Sequence, residues 1–262
     1  MVMPKLKKLL KACFHKMMIL KKMLLTLVIA FPISGWSQQV IVPKKNVVDQ
    51  KWIHNQDYKM RWLMVRDTVK VAIGEVDYRI KIVEDKIQVI TDVKMKGSPA
   101  SWIDTTIVSK QNLSPIYHSS YNAQRNMSLA FGKDIKGFYL DKTVGKSTSI
   151  NENVPSGYFD SNFYPILISW LPLNTGYKAT LSIFDYNPKG KIGVLKANVL
   201  NVKEASYISR KLGERKVWEV EVADEISNDS KSIYYFDKLT RQLYKQKIIV
   251  GARVMEMVLV EE

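Results

Sequence analysis

The stretch Val69-Lys70-Val71-Ala72-Ile73-Gly74-Glu75-Val76-Asp77-Tyr78-Arg79-Ile80-Lys81-Ile82 decides the fold. Val69, Val71 and Ile73 alternate with Lys70 and Ala72. After Gly74 the habit resumes, with Val76, Tyr78, Ile80 and Ile82 set against Asp77, Arg79 and Lys81. A period of two places one apolar face on a core and leaves the other wet, as antiparallel sheets do. Ile87, Val89, Val93 and Met95 continue the pattern until Lys96-Gly97-Ser98-Pro99 turns the chain.

Working outward, further strands are predicted near 102–109, 113–121, 126–132 and 135–141, with Pro115 confining its strand to an edge or a bend. Thr143 to Gly157, rich in Ser, Thr, Asn and Gly, reads as a loop. Asp160-Ser161-Asn162-Phe163-Tyr164-Pro165-Ile166-Leu167-Ile168-Ser169-Trp170-Leu171-Pro172 breaks the pattern. It offers capping residues, an early proline, apolar residues all round and a second proline as a stop, which predicts a short buried helix. A buried strand is the competing reading of so short an apolar run. The alternation returns in Tyr177–Ile183, turns at Asn187-Pro188-Lys189-Gly190 and continues from Ile192 to about Val202. Trp218, Val220 and Val222 alternate with Glu219 and Glu221, and hairpins follow through Ile233–Phe236 and around Gly251. The expected fold is all-β: a single strongly curved antiparallel sheet, or open barrel, with one short buried helix.

The N-terminus carries an address. Lys21-Lys22 precede the apolar run Met23–Phe31; Pro32 breaks it, and Ser34, Gly35 and Ser37 follow. Charge, apolar run and small residues in that order predict a secretory signal peptide over 1–37, cleaved near Ser37-Gln38. The run falls short of the ~20 residues that a spanning helix needs. Residues 38–57, polar and holding Pro43-Lys44-Lys45, read as an N-terminal tether, and 58–262 as one curved antiparallel β domain. The expected location is the periplasm of a Gram-negative cell. Cys13, the only cysteine, lies upstream of the apolar run and behind Lys5, Lys7, Lys8 and Lys11, the reverse of a lipidation signal, so no lipid anchor is expected.

Of 40 basic and 25 acidic residues, seven basic and no acidic ones fall within 1–37, leaving 33 against 25 and a net charge of +8. Dispersed over strands, that charge reads as a solvated face. Nucleic-acid binding, which needs a clustered basic stripe, is not expected. Peripheral attraction to anionic lipid head groups survives. Without thiols the mature chain depends on its core, and some 225 residues are ample for one.

The order of segments resembles a known family. Ile73-Gly74-Glu75, Asn112-Leu113-Ser114-Pro115, Asp160…Trp170-Leu171-Pro172-Leu173, Lys216-Val217-Trp218-Glu219-Val220-Glu221 and Tyr234-Tyr235-Phe236-Asp237-Lys238…Arg241-Gln242-Leu243 are similar to the bacterial domain of unknown function 3108, over roughly 58–250. The resemblance implies an exported envelope protein on a curved antiparallel sheet, a shape shared with half-barrels that carry lipids or lipoproteins. It implies no catalytic residues.

No constellation specifies a reaction. Gly145-Lys146-Ser147-Thr148 imitates the end of a phosphate-binding loop, but Leu140 stands where the first glycine belongs. His54 and His118 are the histidines after residue 37, too few for a zinc site, and read as solvated or hydrogen-bonded. No Gly-x-Ser-x-Gly elbow supports a serine nucleophile. Glu219 and Glu221 lie ~7 Å apart on one strand face, a glycosidase-like spacing, yet on the wet side. No metal or cofactor is expected. The aromatics Trp62, Trp102, Tyr139, Phe163, Trp170, Phe184, Trp218 and Tyr235 remain as candidates to line the concave side of the sheet, with the helix plugging its mouth. Core filling is the plainer reading of the same residues. The expected function is a non-enzymatic periplasmic protein binding an apolar or lipid-like envelope component. The alternative is an envelope assembly or structural accessory working through protein–protein contacts, and the third a cell-wall or glycan hydrolase. A continuous apolar cavity would favour the first, a packed interior with an unpaired edge the second.

Overall fold

The structure of the protein is a computed structural model that describes residues 40–226 and 230–261. The chain parts into two units between Ser37 and Gln38. The signal-peptide reading falls on residues outside those described, and everything below concerns the second unit.

Two antiparallel meanders make one sheet. The first is β2 (Gln56–Arg66), β3 (Val69–Val83), β4 (Lys86–Met95), β5 (Trp102–Ser109), β6 (Pro115–Tyr121), β7 (Arg125–Phe131), β8 (Ile135–Asp141) and β9 (Lys146–Glu152). The second is β11 (Ala179–Tyr186), β12 (Ile192–Ser209), β13 (Gly213–Asp224), β14 (Ser230–Asp237), β15 (Leu243–Val250) and β16 (Arg253–Leu259). They join where β16 pairs with β2, from Val254 opposite Val65 to Leu259 opposite Met60. Two short strands, β1 (Val40–Ile41) and β10 (Phe159–Asp160), lie parallel along the outer edge of β11.

The sheet bends because its sequence lets it. Register slips at Trp62/Leu63, Ile107/Val108, Val199/Asn201 and Tyr235/Phe236 mark bulges, each of which sharpens the local twist. Gly137 on β8 sits where a Cβ would fall 1.9 Å from the Ser128 carbonyl oxygen, so only glycine lets β7 and β8 approach at that angle.

The bending carries the sheet past closure. On β11, Ala179, Leu181 and Ile183 join the main core, whereas Phe184 and Tyr186, pointing the opposite way, pack in a second core with Met127, Leu129, Tyr139 and Ile150. Strands β7–β9 therefore cover the outer face of β11. Phe131 meets Phe184 edge-on at 5.9 Å, and Tyr139 lies 6.3 Å from Tyr186. The two ends of the sheet overlap as layers instead of pairing as edges.

The one α-helix among the described residues, α1 (Tyr164–Trp170), closes the main core. Pro165 supplies a preset φ in its first turn, and the Asp160 carboxylate accepts the Asn162 amide at 2.7 Å just before it. Pro172 disfavours a helical Leu171, which is extended at ψ 158° and ends the element. Six of its seven residues are buried.

Two expectations change. Residues 40–57 are not a free tether, because Ile41, Val48 and Ile53 are buried in the main core and Gln50–Trp52 forms a 3-10 turn capped by Asp49. Apolar residues at wide spacing within a polar segment leave no periodic signal. The expected loop at 143–157 contains β9, whose pairing with β8 runs unbroken from Lys146–Asp141 to Glu152–Ile135. Its residues favour turns, and the hydrogen bonds offered by β8 override that preference.

Candidate functional site

The overlap leaves a seam where the edge strand β10 meets the inner face of β5 and β6. Alternation on β5 turns Asp104, Thr106 and Val108 inward; on β6 it turns His118 and Ser120 inward, opposite Thr106 and Asp104. Asp160 arrives from β10. His118 Nδ1 and Asp160 Oδ2 lie 2.7 Å apart, both buried, and Thr106 Oγ1 donates to Asp160 Oδ1 at 3.3 Å. Asn162 donates to Thr106, Ser161 donates to Asp185 Oδ1 at 2.7 Å, and Arg125 donates twice to the Ser120 hydroxyl.

Burial alone would pull the His118 imidazole down; the Asp160 carboxylate, helped by Asp104, outweighs it and holds the ring above its ordinary value. Burial also pushes the Asp185 carboxyl above its ordinary value, against the hydrogen bond from Ser161. His118 Nε2 is buried with no hydrogen-bond partner among the described residues. A serine, a histidine and an aspartate thus meet, but not as a nucleophile. Ser120 lies two residues from His118 along one strand face, and its oxygen accepts from Arg125. The network ties β5, β6, β10 and β11 together, and His118 can hold or release a proton there.

The aromatic candidates do not line one space. Phe163 and Trp170 are fully buried against each other, rings 5.7 Å apart. Trp218 is buried in the same core, where Trp62 and Trp102 pack at its margin; the Trp102 indole donates to Asp104 at 2.7 Å. Tyr139 and Phe184 belong to the second core, between the overlapping layers. Tyr235 points the other way: it alternates with buried Tyr234 and Phe236, and Lys245 Nζ stands 5.0 Å over its ring. Period two from the inward Tyr234 and Phe236 requires that outward placement, so Tyr235 leaves the candidate list. Beneath α1, between Tyr58, Tyr78, Ile166 and Tyr234, a void measures about 20 Å³, room for one water and not for an acyl chain.

A wider concavity is open and lined by apolar as well as polar surface. A groove of about 860 Å³ runs between Tyr58, Tyr78 and Lys94 on one side and Arg215, Tyr244 and Glu261 on the other. The long β12–β13 hairpin forms one wall, held to the C-terminal end by the Ser209 hydroxyl and the Arg210 amide, both donating to Glu261. Glu219 and Glu221 are each taken by a cross-strand lysine, Lys203 at 2.9 Å and Lys231 at 3.0 Å. His54 bonds to Gln56 at 3.0 Å. Among the described residues no three His, Cys, Asp or Glu side chains converge as a metal ion requires.

Residues 57–258 match the family described as "Protein of unknown function (DUF3108)". The chain belongs to that family. No curated protein matches it. Among solved structures it is similar to the beta-barrel-like protein of domain of unknown function DUF1849 from Brucella abortus, with a TM-score of 0.49, 11% identity, and coverage of 86% of this chain and 98% of that one.

Within this member of the family, two features escape sequence reasoning. Asp160 reads as a helix-capping residue; it lies in β10, accepts from the Asn162 amide ahead of the helix, and with its second oxygen holds His118 across 42 positions. Strand β9 has one apolar side chain facing the second core, Ile150, too little for a periodic signal. Beyond β9 the sheet has no further strand, so the outer edge of Lys146–Glu152 makes no backbone pair among the described residues.

Proposed function

We propose that this protein is a non-enzymatic accessory of the cell envelope that works through protein–protein contacts at its surface. The observation that carries the reading is a filled interior beside an unpaired edge. Trp170, Phe163 and Leu167 have no exposure at all, and the small void beside Ile166, Ser169 and Tyr234 has room for one water. A carrier of an apolar component would need some 300 Å³ or more of apolar cavity. His118 and Asp160 are both buried and bonded to each other, which favours a structural over a hydrolytic role. The charge, apolar run and small residues of 21–37 support export as the route to the envelope.

The test is a photo-crosslinker scan in cells that make the full chain. The reactive side chain is placed in turn at Lys203, Phe138, Ser149, Val194 and Lys211, and at buried Leu167 as a control. A discrete protein adduct from one surface region, absent from the control, is expected. Adducts of lipid mass, or adducts from Leu167, would overturn the reading.

A further inference from the structure

Where the sheet ends, the layer beneath it does not. Strand β12 neighbours β11 in the inner layer, with Val194 opposite Phe184 and Ile192 opposite Tyr186 on the same outer face. Phe184 and Tyr186 are covered by β7–β9 and almost fully buried; Val194 and Ile192, one strand further on, remain 41% and 44% exposed. With β6 against β10 and Tyr139 of β8 against Tyr186 of β11, the order of the upper layer carries the open edge of β9 toward β12 and this ledge. That edge has no proline and no bulge over seven residues in continuous register, and its only charges, Lys146 and Glu152, stand at its two ends.

We infer that the step between β9 and the ledge is a docking slot for one extended strand of a partner protein. Added to β9, the strand would take the outward backbone hydrogen bonds and lay alternate side chains over Ile192 and Val194. Two charges set its direction. Lys146 and Glu152 stand at the two ends of β9 on the face of Ile150, and neither has an ion-pair partner among the described residues. An antiparallel strand with a basic residue opposite Glu152, an acidic one opposite Lys146 and apolar residues between satisfies both. A second folded copy does not fit. It would bring its own β11–β12 layer beneath its own β9, and two such layers would claim the same space.

This rests on the accessory reading and names the partner's chemistry at one edge. The probe is the peptide Lys-Thr-Val-Thr-Val-Thr-Glu, added to the uniformly 15N-labelled protein. Amides of Lys146–Glu152 should shift and exchange more slowly, with a Kd below about 1 mM. Replacing both valines by threonine, or exchanging the terminal Lys and Glu, should weaken binding at least fivefold. Val194→Asp, on an exposed side chain that leaves the fold intact, should weaken it at least tenfold, and Ser149→Pro should abolish it. No shift at 2 mM, equal binding by all three peptides, or a doubled mass with β9 already protected would each overturn the slot. A failed slot with surface crosslinks elsewhere leaves the accessory reading standing; lipid adducts sink both.

Discussion

Replacing Trp170 by alanine is the sharpest probe of a filled interior. The side chain is fully buried, edge-on to Phe163 at 5.7 Å. An aromatic of this size buries about 200 Å², and at ~25 cal/mol per Å² its loss is worth about 5 kcal/mol, less the small share alanine keeps. Measured Trp→Ala costs in close-packed cores run about 3–5 kcal/mol, so about 4 is expected here. For a domain of this length that lowers Tm by about 8–16 °C. Urea titration followed by fluorescence gives the number, since loss of C_m at constant m is loss of stability. Indole at ten times its Kd should return about 1.4 kcal/mol by filling the void. A loss below about 1.5 kcal/mol would refute the reasoning, because it would mean that Trp170 already borders open space.

Other predictions follow from the seam and the overlap. His118 is held above its unfolded value, near 6.5, so its stabilisation is complete below that pH and lost as pH rises through the higher folded value. Tm should therefore fall as pH rises above about 6.5, and His118→Gln should flatten that slope; Asp185, also raised, gives a loss of the same sign at lower pH. Phe184→Ala should cost about 3–4 kcal/mol and, in hydrogen exchange, release the amides of β7–β9 before those of β12–β14. Gly137→Ala drives a methyl into the Ser128 carbonyl at 1.9 Å and should cost more than about 3 kcal/mol by urea midpoint, whereas Gly132→Ala, at 3.6 Å from its nearest atom, should stay within about 1 kcal/mol.

Much of the fold is legible where each residue answers only to its own strand. Val76, Ile80, Val89, Val220 and Val222 alternate in sequence and all turn inward. The helix is legible because Pro165 and Pro172 bracket an apolar run. What is not legible depends on layers meeting. Phe184 and Ile183 are adjacent apolar residues, and only the overlap explains why both faces of β11 are buried. The same holds for His118 on β6 and Asp160 on the short strand β10, whose meeting requires the sheet to pass its own edge. Strand β9 is polar because one face is wet and its edge is open, so composition alone makes it a loop.

The central claim is that the sheet encloses a core and not a cargo. A native mass spectrum of the full-length protein, purified from the periplasm of a Gram-negative host without detergent, tests it most directly. The account predicts the bare mass of Gln38–Glu262 with no bound species. A stoichiometric adduct of a few hundred daltons, lost on unfolding, would contradict it.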